Sequence, residues 1–132
     1  MKGKSSPRRT TVLFVDDEKL WLDAVEQAVR GAEFNVITAE GGEAALKKLK
    51  RTMPDLILSD VRMPFMNGFD LFEKVKKDPK LKTIPYVFMS NIDDIDARKT
   101  ARDLGADDYV EKPFDSEQVR NVVLNLLTRF KR

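Results

Sequence analysis

The chain has 132 residues, with 24 basic and 22 acidic residues and neither cysteine nor histidine. A chain of this length fits a single domain, and the two missing residue types exclude disulfides, thiolate or imidazole metal sites and Ser-His-Asp catalysis. No apolar run approaches the roughly 20 residues of a membrane span, so we expect a cytoplasmic protein with no membrane contact.

The first ten residues differ in composition from the rest of the chain. Four basic residues and no acidic residue precede Thr10, namely Lys2, Lys4, Arg8 and Arg9. This composition predicts a disordered basic arm or a vector-derived remnant over residues 1–10, and one domain over residues 11–132. The remaining 20 basic and 22 acidic residues give that domain a formal charge of −2, which argues against direct binding of nucleic acid.

The first half of the domain alternates between strand and helix patterns. Residues 11–15 form a β-rich apolar run that predicts a strand, and residues 19–30 carry apolar side chains at helical spacing before a stop at Gly31. The helical apolar residues are Leu20, Trp21, Ala24, Val25, Ala28 and Val29. Periodicity places Trp21 on this helix but does not decide how near it lies to any site.

Residues 35–39 predict a second strand, and Gly41-Gly42 leads into a helix. The inner face of that helix is predicted to be Ala44, Ala45, Leu46 and Leu49.

The alternation continues in the second half. Residues 55–59 predict a third strand that delivers Asp60, and Asn67-Gly68 opens the following helix. Residues 86–89 predict a fourth strand, and the next helix runs from about residue 95 to residue 104 with Gly105 as its stop.

The last predicted elements are a short strand over residues 108–111 and a helix that begins at Asp115, with Gln118 as the partner in a capping box. The residues predicted to be buried on this helix are Val119, Val122, Val123, Leu126, Leu127 and Phe130. Arg129, Lys131 and Arg132 complement the negative end of its dipole. Five strands that alternate with five helices predict an α/β fold, a doubly wound parallel sheet with helices on both faces.

Polar residues follow the predicted strands at the points where the strands end. In an open parallel sheet the functional crevice lies beyond these carboxyl ends, so Asp16-Asp17, Asp60, Ser90 and Lys112-Pro113 are predicted to converge there. Three crowded carboxylates repel one another unless a cation neutralises them. Oxygen ligands without histidine or cysteine favour a hard ion, and Mg²⁺ fits best.

These residues are also the basis of a family resemblance. The chain resembles the receiver domain of response regulators in two-component signalling over residues 11–132. The matching segments are Phe14-Val15-Asp16-Asp17-Glu18, Asp60-Val61-Arg62-Met63-Pro64 with Asn67-Gly68, Ser90, and residues 105–114, Gly-Ala-Asp-Asp-Tyr-Val-Glu-Lys-Pro-Phe. The resemblance implies a flavodoxin-like, CheY-like fold with strand order 2-1-3-4-5 and a cis peptide at Lys112-Pro113.

The resemblance also implies roles for individual residues. Asp60 is expected to accept a phosphoryl group, assisted by Lys112 and Ser90. Mg²⁺ is expected to bind Asp60, Asp17 directly, Asp16 mainly through water, and the backbone carbonyl of Arg62. Ser90 and Tyr109 are the expected switch residues. On phosphorylation Ser90 moves inward, and Tyr109 turns from solvent toward the core.

Access to the acceptor is expected to depend on three residues around the pocket mouth. The chain has Asn91 where receivers usually carry alanine or glycine. Arg62 and Ile92 are expected to flank the same opening. Together these side chains should slow the entry of small phosphodonors and the attack of water. The alternative is that Arg62 draws anionic donors in, so that its removal would slow phosphorylation.

The resemblance implies a sensor histidine kinase or a histidine phosphotransfer protein as phosphodonor, as in a phosphorelay, and a downstream protein as target. A homodimer favoured by phosphorylation is a further expectation for its assembly. The chain is expected to be a stand-alone receiver in preference to a fragment of a longer regulator or hybrid kinase.

Several alternatives stay open from the sequence. The protein is expected to be a signalling switch and not an enzyme, with a pseudo-receiver that binds partners without phosphorylation as the alternative. A phosphatase with an aspartyl-phosphate intermediate is disfavoured because Arg62 stands where a second acid is needed. Taken alone, Asp17 fits a helix cap and Lys112 a surface charge. The charged face of the fourth helix is either simply exposed to solvent or part of a partner-binding surface together with the fifth strand and the fifth helix.

Overall fold

The computed structural model describes residues 10–28, 34–112 and 116–129, in which five strands alternate with five helices. The strands are β1 (Thr10–Val15), β2 (Phe34–Ala39), β3 (Leu56–Asp60), β4 (Tyr86–Asn91) and β5 (Asp108–Lys112). The helices are α1 (Lys19–Ala28), α2 (Gly42–Leu49), α3 (Gly68–Lys77), α4 (Ile95–Asp103) and α5 (Ser116–Arg129). None of the described helices combines the length and the apolar character that a membrane crossing requires.

The strands form one sheet in the order β2-β1-β3-β4-β5, and every neighbouring pair is parallel. This confirms the predicted fold class and strand order. The register aligns the carboxyl ends of the strands: Val15 pairs with Ser59, Asp60 with Met89, and Asn91 with Lys112. The residues at these ends therefore lie along one edge of the sheet.

Successive side chains along a strand point to opposite faces of the sheet, so the core is divided into two layers, one on each face. One layer contains Leu13, Ile57 and Phe88 with buried residues of α2, α3 and α4. The other contains Phe14 and Leu58 with buried residues of α1 and α5. Both faces are covered, as expected for parallel strands that are apolar throughout.

The boundaries of several elements differ from the prediction by a residue or two. β3 begins at Leu56, one residue later than predicted, and the Asp55 carboxylate just before it accepts a hydrogen bond from the Thr11 amide at 2.8 Å. β5 extends to Lys112, which pairs with Asn91. Lys112 is thus the last residue of a strand and does not follow one.

The apolar face of α1 also differs from the prediction. Leu20 is 83% exposed and Ala24 is exposed, whereas Leu22 and Val25 are buried. Three of the first four residues of α1 are apolar. The sequence pattern is therefore compatible with more than one choice of buried helix face. Packing against the sheet selects the face that contains Leu22.

Two predicted helix signals are confirmed. Asn67 caps α3: its side chain accepts from the Asp70 amide at 2.9 Å, and its own amide donates to the Asp70 carboxylate at 3.2 Å. Gly105 follows α4 with a φ of 78°, the left-handed conformation that glycine adopts without a Cβ clash. Other predictions fall outside the described residues: Val29, Gly31, the peptide at Pro113, Asp115 as a cap, Phe130, Lys131 and Arg132.

Candidate functional site

Three carboxylates meet at the carboxyl edge of the sheet. Asp16 follows β1, and Asp60 is the last residue of β3. Asp16, Asp60 and Asp17 each place an oxygen so that all three oxygens lie within 4.8 Å of one another. Asp16 and Asp60 are buried, with exposures of 0% and 7%, while Asp17 is exposed. The structure thus brings together the three acids that the sequence predicted as metal ligands.

The donor set fits a hard divalent cation. It consists of carboxylate oxygens from the β1–α1 loop and from the end of β3, and one of the three acids faces solvent, which leaves room for water ligands. Mg²⁺ binds through one or two carboxylates and retains several waters, so the residues present suit it. The Arg62 carbonyl stays a predicted ligand.

The ammonium of Lys112 lies among these acids. Its Nζ is 2.6 Å from Asp16 Oδ2 and 3.3 Å from Asp60 Oδ1, and the side chain is 5% exposed. A buried ammonium is stable only when it is paired. The structure therefore excludes the alternative of a solvated surface lysine.

The environment of Asp60 makes its carboxyl group harder to ionise than that of an exposed aspartate. Burial raises the pKa of Asp60 from 3.8 to about 6; the negative charge of Asp16 adds to this shift, and Lys112 opposes it. A cation bound beside the three carboxylates would favour the ionised form.

The backbone of Asp60 is packed against the start of α3. A Cβ added at Gly68 would lie 2.3 Å from the carbonyl oxygen of Asp60. The Gly68 amide donates to the Val61 carbonyl at 2.9 Å, and the Tyr86 hydroxyl donates to the Gly68 carbonyl at 3.1 Å. Asn67-Gly68, predicted only as a helix start, thus also holds the acceptor strand in place.

Ser90 is buried, and its hydroxyl bonds an acid that the sequence analysis did not single out. Ser90 Oγ donates to Asp94 Oδ2 at 3.1 Å, and Asp94 is the N-cap of α4, where its Oδ1 accepts from the Ala97 amide at 3.1 Å. In this structure the Ser90 hydroxyl therefore donates its hydrogen bond to the β4–α4 loop. Its contact with a phosphoryl group stays a prediction.

Tyr109 is half-buried in β5, and its ring packs against the core layer that contains Phe88. Its hydroxyl oxygen is enclosed and has no hydrogen-bond partner within the described part of the chain. The sequence-based expectation placed this side chain in solvent before phosphorylation, whereas here the hydroxyl is already inside. The switching role itself stays a prediction.

The three residues predicted at the pocket mouth are exposed. Arg62 extends from the β3–α3 loop to Asp94, with a side chain 64% exposed. Asn91 ends β4 beside Lys112, and Ile92 is 60% exposed. Their control of access stays a prediction.

Trp21 was not assigned to the site from the sequence, yet its ring contacts Lys112. Lys112 Nζ lies 4.7 Å from the ring centroid. Trp21 lies in the first turn of α1, four residues after Asp17, and this closeness in the sequence is the signal that could have placed it near the acids.

Comparisons with known proteins agree with this geometry. A family model described as the response regulator receiver domain matches residues 12–124. Histidine kinase P4 of Formosa agariphila is 34% identical over 119 residues, or 90% of this chain and 9% of its own length. The DNA-binding transcriptional regulator NtrC of Escherichia coli K12 is 33% identical over 124 residues, or 94% of this chain and 26% of its own length. The chain thus spans well under two thirds of either relative.

A solved structure matches the chain over nearly its whole length. It is the signal receiver domain of a signal transduction histidine kinase from Syntrophus aciditrophicus. It superposes with a TM-score of 0.84 at 30% identity and covers 93% of each chain.

Proposed function

Because the chain belongs to the response regulator receiver domain family of two-component systems, we propose that Asp60 accepts a phosphoryl group and thereby switches a protein-binding surface. One observation carries this proposal. Asp60 is buried at a strand end, 3.3 Å from Lys112 Nζ and in one group of oxygens with Asp16 and Asp17. The arrangement supplies a nucleophile, a cation site and a fixed ammonium around one carboxylate.

The proposed reaction is a phosphoryl transfer to oxygen. A carboxylate oxygen of Asp60 attacks the phosphorus of a phosphohistidine or of a small acyl phosphate. A P–O bond forms while the bond to the leaving nitrogen or oxygen breaks, and the leaving group takes the electron pair. The attacking carboxyl must be ionised, and a pKa of about 6 leaves it mostly ionised at neutral pH.

Charge neutralisation provides most of the catalysis in such transfers. Asp16, Asp17, Asp60 and the backbone carbonyl of Arg62 would hold Mg²⁺, which neutralises phosphoryl oxygens when bound. Lys112 Nζ, fixed between Asp16 and Asp60, donates hydrogen bonds to the same oxygens.

The proposed switch begins at Ser90. Its hydroxyl now donates to Asp94 and must leave this acceptor in order to bond a phosphoryl group on Asp60. That exchange draws the β4–α4 loop inward and shifts the position of Tyr109. The result is a change in the populations of two conformations of the surface that α4 and β5 carry.

The proposed reaction requires a protein that donates the phosphoryl group, and the proposed switch requires a protein that responds to it. We propose a sensor histidine kinase or a histidine phosphotransfer protein as donor and a downstream protein as target. We further propose a cytoplasmic location, no direct contact of this domain with nucleic acid or membrane, and a homodimer that phosphorylation favours. The protein acts as a switch, and the only reactions it promotes are its own phosphorylation and dephosphorylation.

Phosphate-affinity electrophoresis tests the proposal. The wild type is incubated with acetyl phosphate and Mg²⁺, beside Asp60→Asn as the matched variant without a nucleophile. We expect a retarded band in the wild type alone. No retarded band in the wild type would favour a pseudo-receiver, and steady phosphate release without a retarded band would favour a phosphatase. An equally retarded Asp60→Asn would place the acceptor elsewhere.

A further inference from the structure

Within residues 10–28, 34–112 and 116–129, the ammonium of Lys112 has three close neighbours of two different kinds. Two are the carboxylates of Asp16 and Asp60, at 2.6 and 3.3 Å. The third is the ring of Trp21, whose centroid lies 4.7 Å from Nζ. An ammonium within about 6 Å of an indole face is attracted by the electrons of the ring, and the attraction strengthens when water is excluded. Lys112 is 5% exposed, so water is largely absent.

The positions of Trp21 and Lys112 are set by separate parts of the fold. Asp16 accepts a hydrogen bond from the Glu18 amide at 3.0 Å, and the Trp21 amide donates to the Glu18 carbonyl at 3.0 Å. These bonds turn the chain from β1 directly into α1 and place Trp21 in its first turn. Lys112 is held by its pairing with Asn91 at the end of β5. The ring and the ammonium thus meet between two independently fixed backbones.

The two carboxylate contacts of Lys112 belong to groups that the proposed reaction uses for other purposes. Asp60 would carry the phosphoryl group, and Asp16 would help to hold Mg²⁺. The ring of Trp21 takes part in neither event. It is also neutral, so it attracts the ammonium without adding a negative charge beside three carboxylates that already repel one another.

We propose that Trp21 is a positioning residue for Lys112: its ring holds the ammonium at the end of β5 while Asp16 and Asp60 change partners during phosphoryl transfer. The inference rests on the proposed function for its role in the reaction. The contact itself can be tested without any phosphodonor.

The first experiment uses fluorescence in metal-free buffer. Trp21 is the single tryptophan of the chain, so its emission reports one ring. We expect Lys112→Met to change the intensity or the wavelength of emission, and Lys112→Arg to stay close to wild type because it keeps a cation. Lys74→Met, an exposed lysine on α3, is the matched control. Emission of Lys112→Met that equals the wild type would overturn the inference.

The second experiment compares the rates of phosphorylation by acetyl phosphate with Mg²⁺. Trp21→Phe keeps an aromatic face and should stay within about threefold of wild type. Trp21→Leu keeps apolar bulk without that face and should be about five- to thirtyfold slower, equivalent to about 1 to 2 kcal/mol. Equal losses in both variants would assign Trp21 a packing role only and overturn the inference. No phosphorylation of the wild type would instead refute the proposed function and leave the fluorescence result standing.

Discussion

Arg62 and Asp94 are joined by two hydrogen bonds, from Nε to Oδ2 at 2.8 Å and from Nη2 to Oδ1 at 3.0 Å. The same carboxylate accepts from the Ser90 hydroxyl and from the Ala97 amide. Asp94 therefore connects the β3–α3 loop, the end of β4 and the start of α4. The hydrogen bond from Arg62 is the main reason why the pKa of Asp94 falls to about 2.

We expect Asp94→Ala to lower the free energy of unfolding by about 1 to 2 kcal/mol, because α4 loses its N-cap. The pair with Arg62 adds little, since the Arg62 side chain is 64% exposed. Asp94→Asn is the matched control: asparagine caps helices as well as aspartate does, so it should cost clearly less. Urea unfolding at pH 7 measures both variants. A stability of Asp94→Ala equal to that of the wild type would contradict the capping role.

Asp60 should make the metal-free protein less stable as the pH rises from about 4 to about 6. Its folded pKa of about 6 exceeds its ordinary value of 3.8. In that range the unfolded chain therefore loses a proton that the folded chain retains, and the folded state becomes relatively less stable. The full effect is on the order of 3 kcal/mol.

Asp60→Asn isolates this effect. In buffer with a chelator it should be more stable than the wild type at pH 7.5, and the difference should vanish near pH 4. Asp93→Asn, at an exposed aspartate, serves as control. A wild type as stable as Asp60→Asn at both pH values would contradict the raised pKa.

Removal of Asp17 should abolish the binding of Mg²⁺ with little effect on folding. Asp17 is exposed and contributes one of the three oxygens that lie within 4.8 Å of one another. Titration calorimetry of Asp17→Ala with Mg²⁺ measures the loss, and Asp23→Ala, on the exposed side of α1, is the control. If Asp17→Ala gives the same heat of Mg²⁺ binding as the wild type, Asp17 is not a metal ligand.

Asn91→Ala should speed phosphorylation by acetyl phosphate, because a polar side chain at the pocket mouth is replaced by a methyl group. A tenfold effect requires only about 1.4 kcal/mol of steric or desolvation cost. Asn125→Ala, on an exposed part of α5, controls for general effects of the substitution. Stopped-flow rates for Asn91→Ala equal to or below the wild type would show that Asn91 does not restrict entry.

Arg62→Asn combined with Ile92→Glu should shorten the phosphoryl lifetime, since the pair would admit and orient water. The Arg62–Asp94 contact adds a second consequence, because Arg62→Asn also releases Asp94. The double variant is therefore compared with Ile92→Glu alone, by loss of label after the donor is removed. Lifetimes equal to wild type in both variants would exclude control of water at this position.

Features that depend on strand order and strand ends could be predicted from the sequence. Asp16, Asp60 and Lys112 meet because parallel strands deliver their last residues to one edge, and short apolar runs identify those strands. The contacts of Trp21 and Asp94 could not be predicted in this way. Trp21 contacts Lys112 from α1, and Asp94 contacts Arg62 from the β4–α4 loop, so both contacts depend on how separate elements approach each other.

Mutational tolerance should differ sharply between Gly42 and Gly68, the first residues of α2 and α3. A Cβ at Gly42 would meet the Met66 side chain, with Sδ at 2.7 Å and Cβ at 3.0 Å, whereas a Cβ at Gly68 would meet the Asp60 backbone, with the carbonyl oxygen at 2.3 Å. The Sδ and Cγ of Met66 can rotate away and its Cβ need shift by only a few tenths of an ångström, but the main chain of a central strand cannot move without disturbing its neighbours. In a saturation library, position 42 should therefore accept alanine or serine, while position 68 should retain glycine in every functional clone.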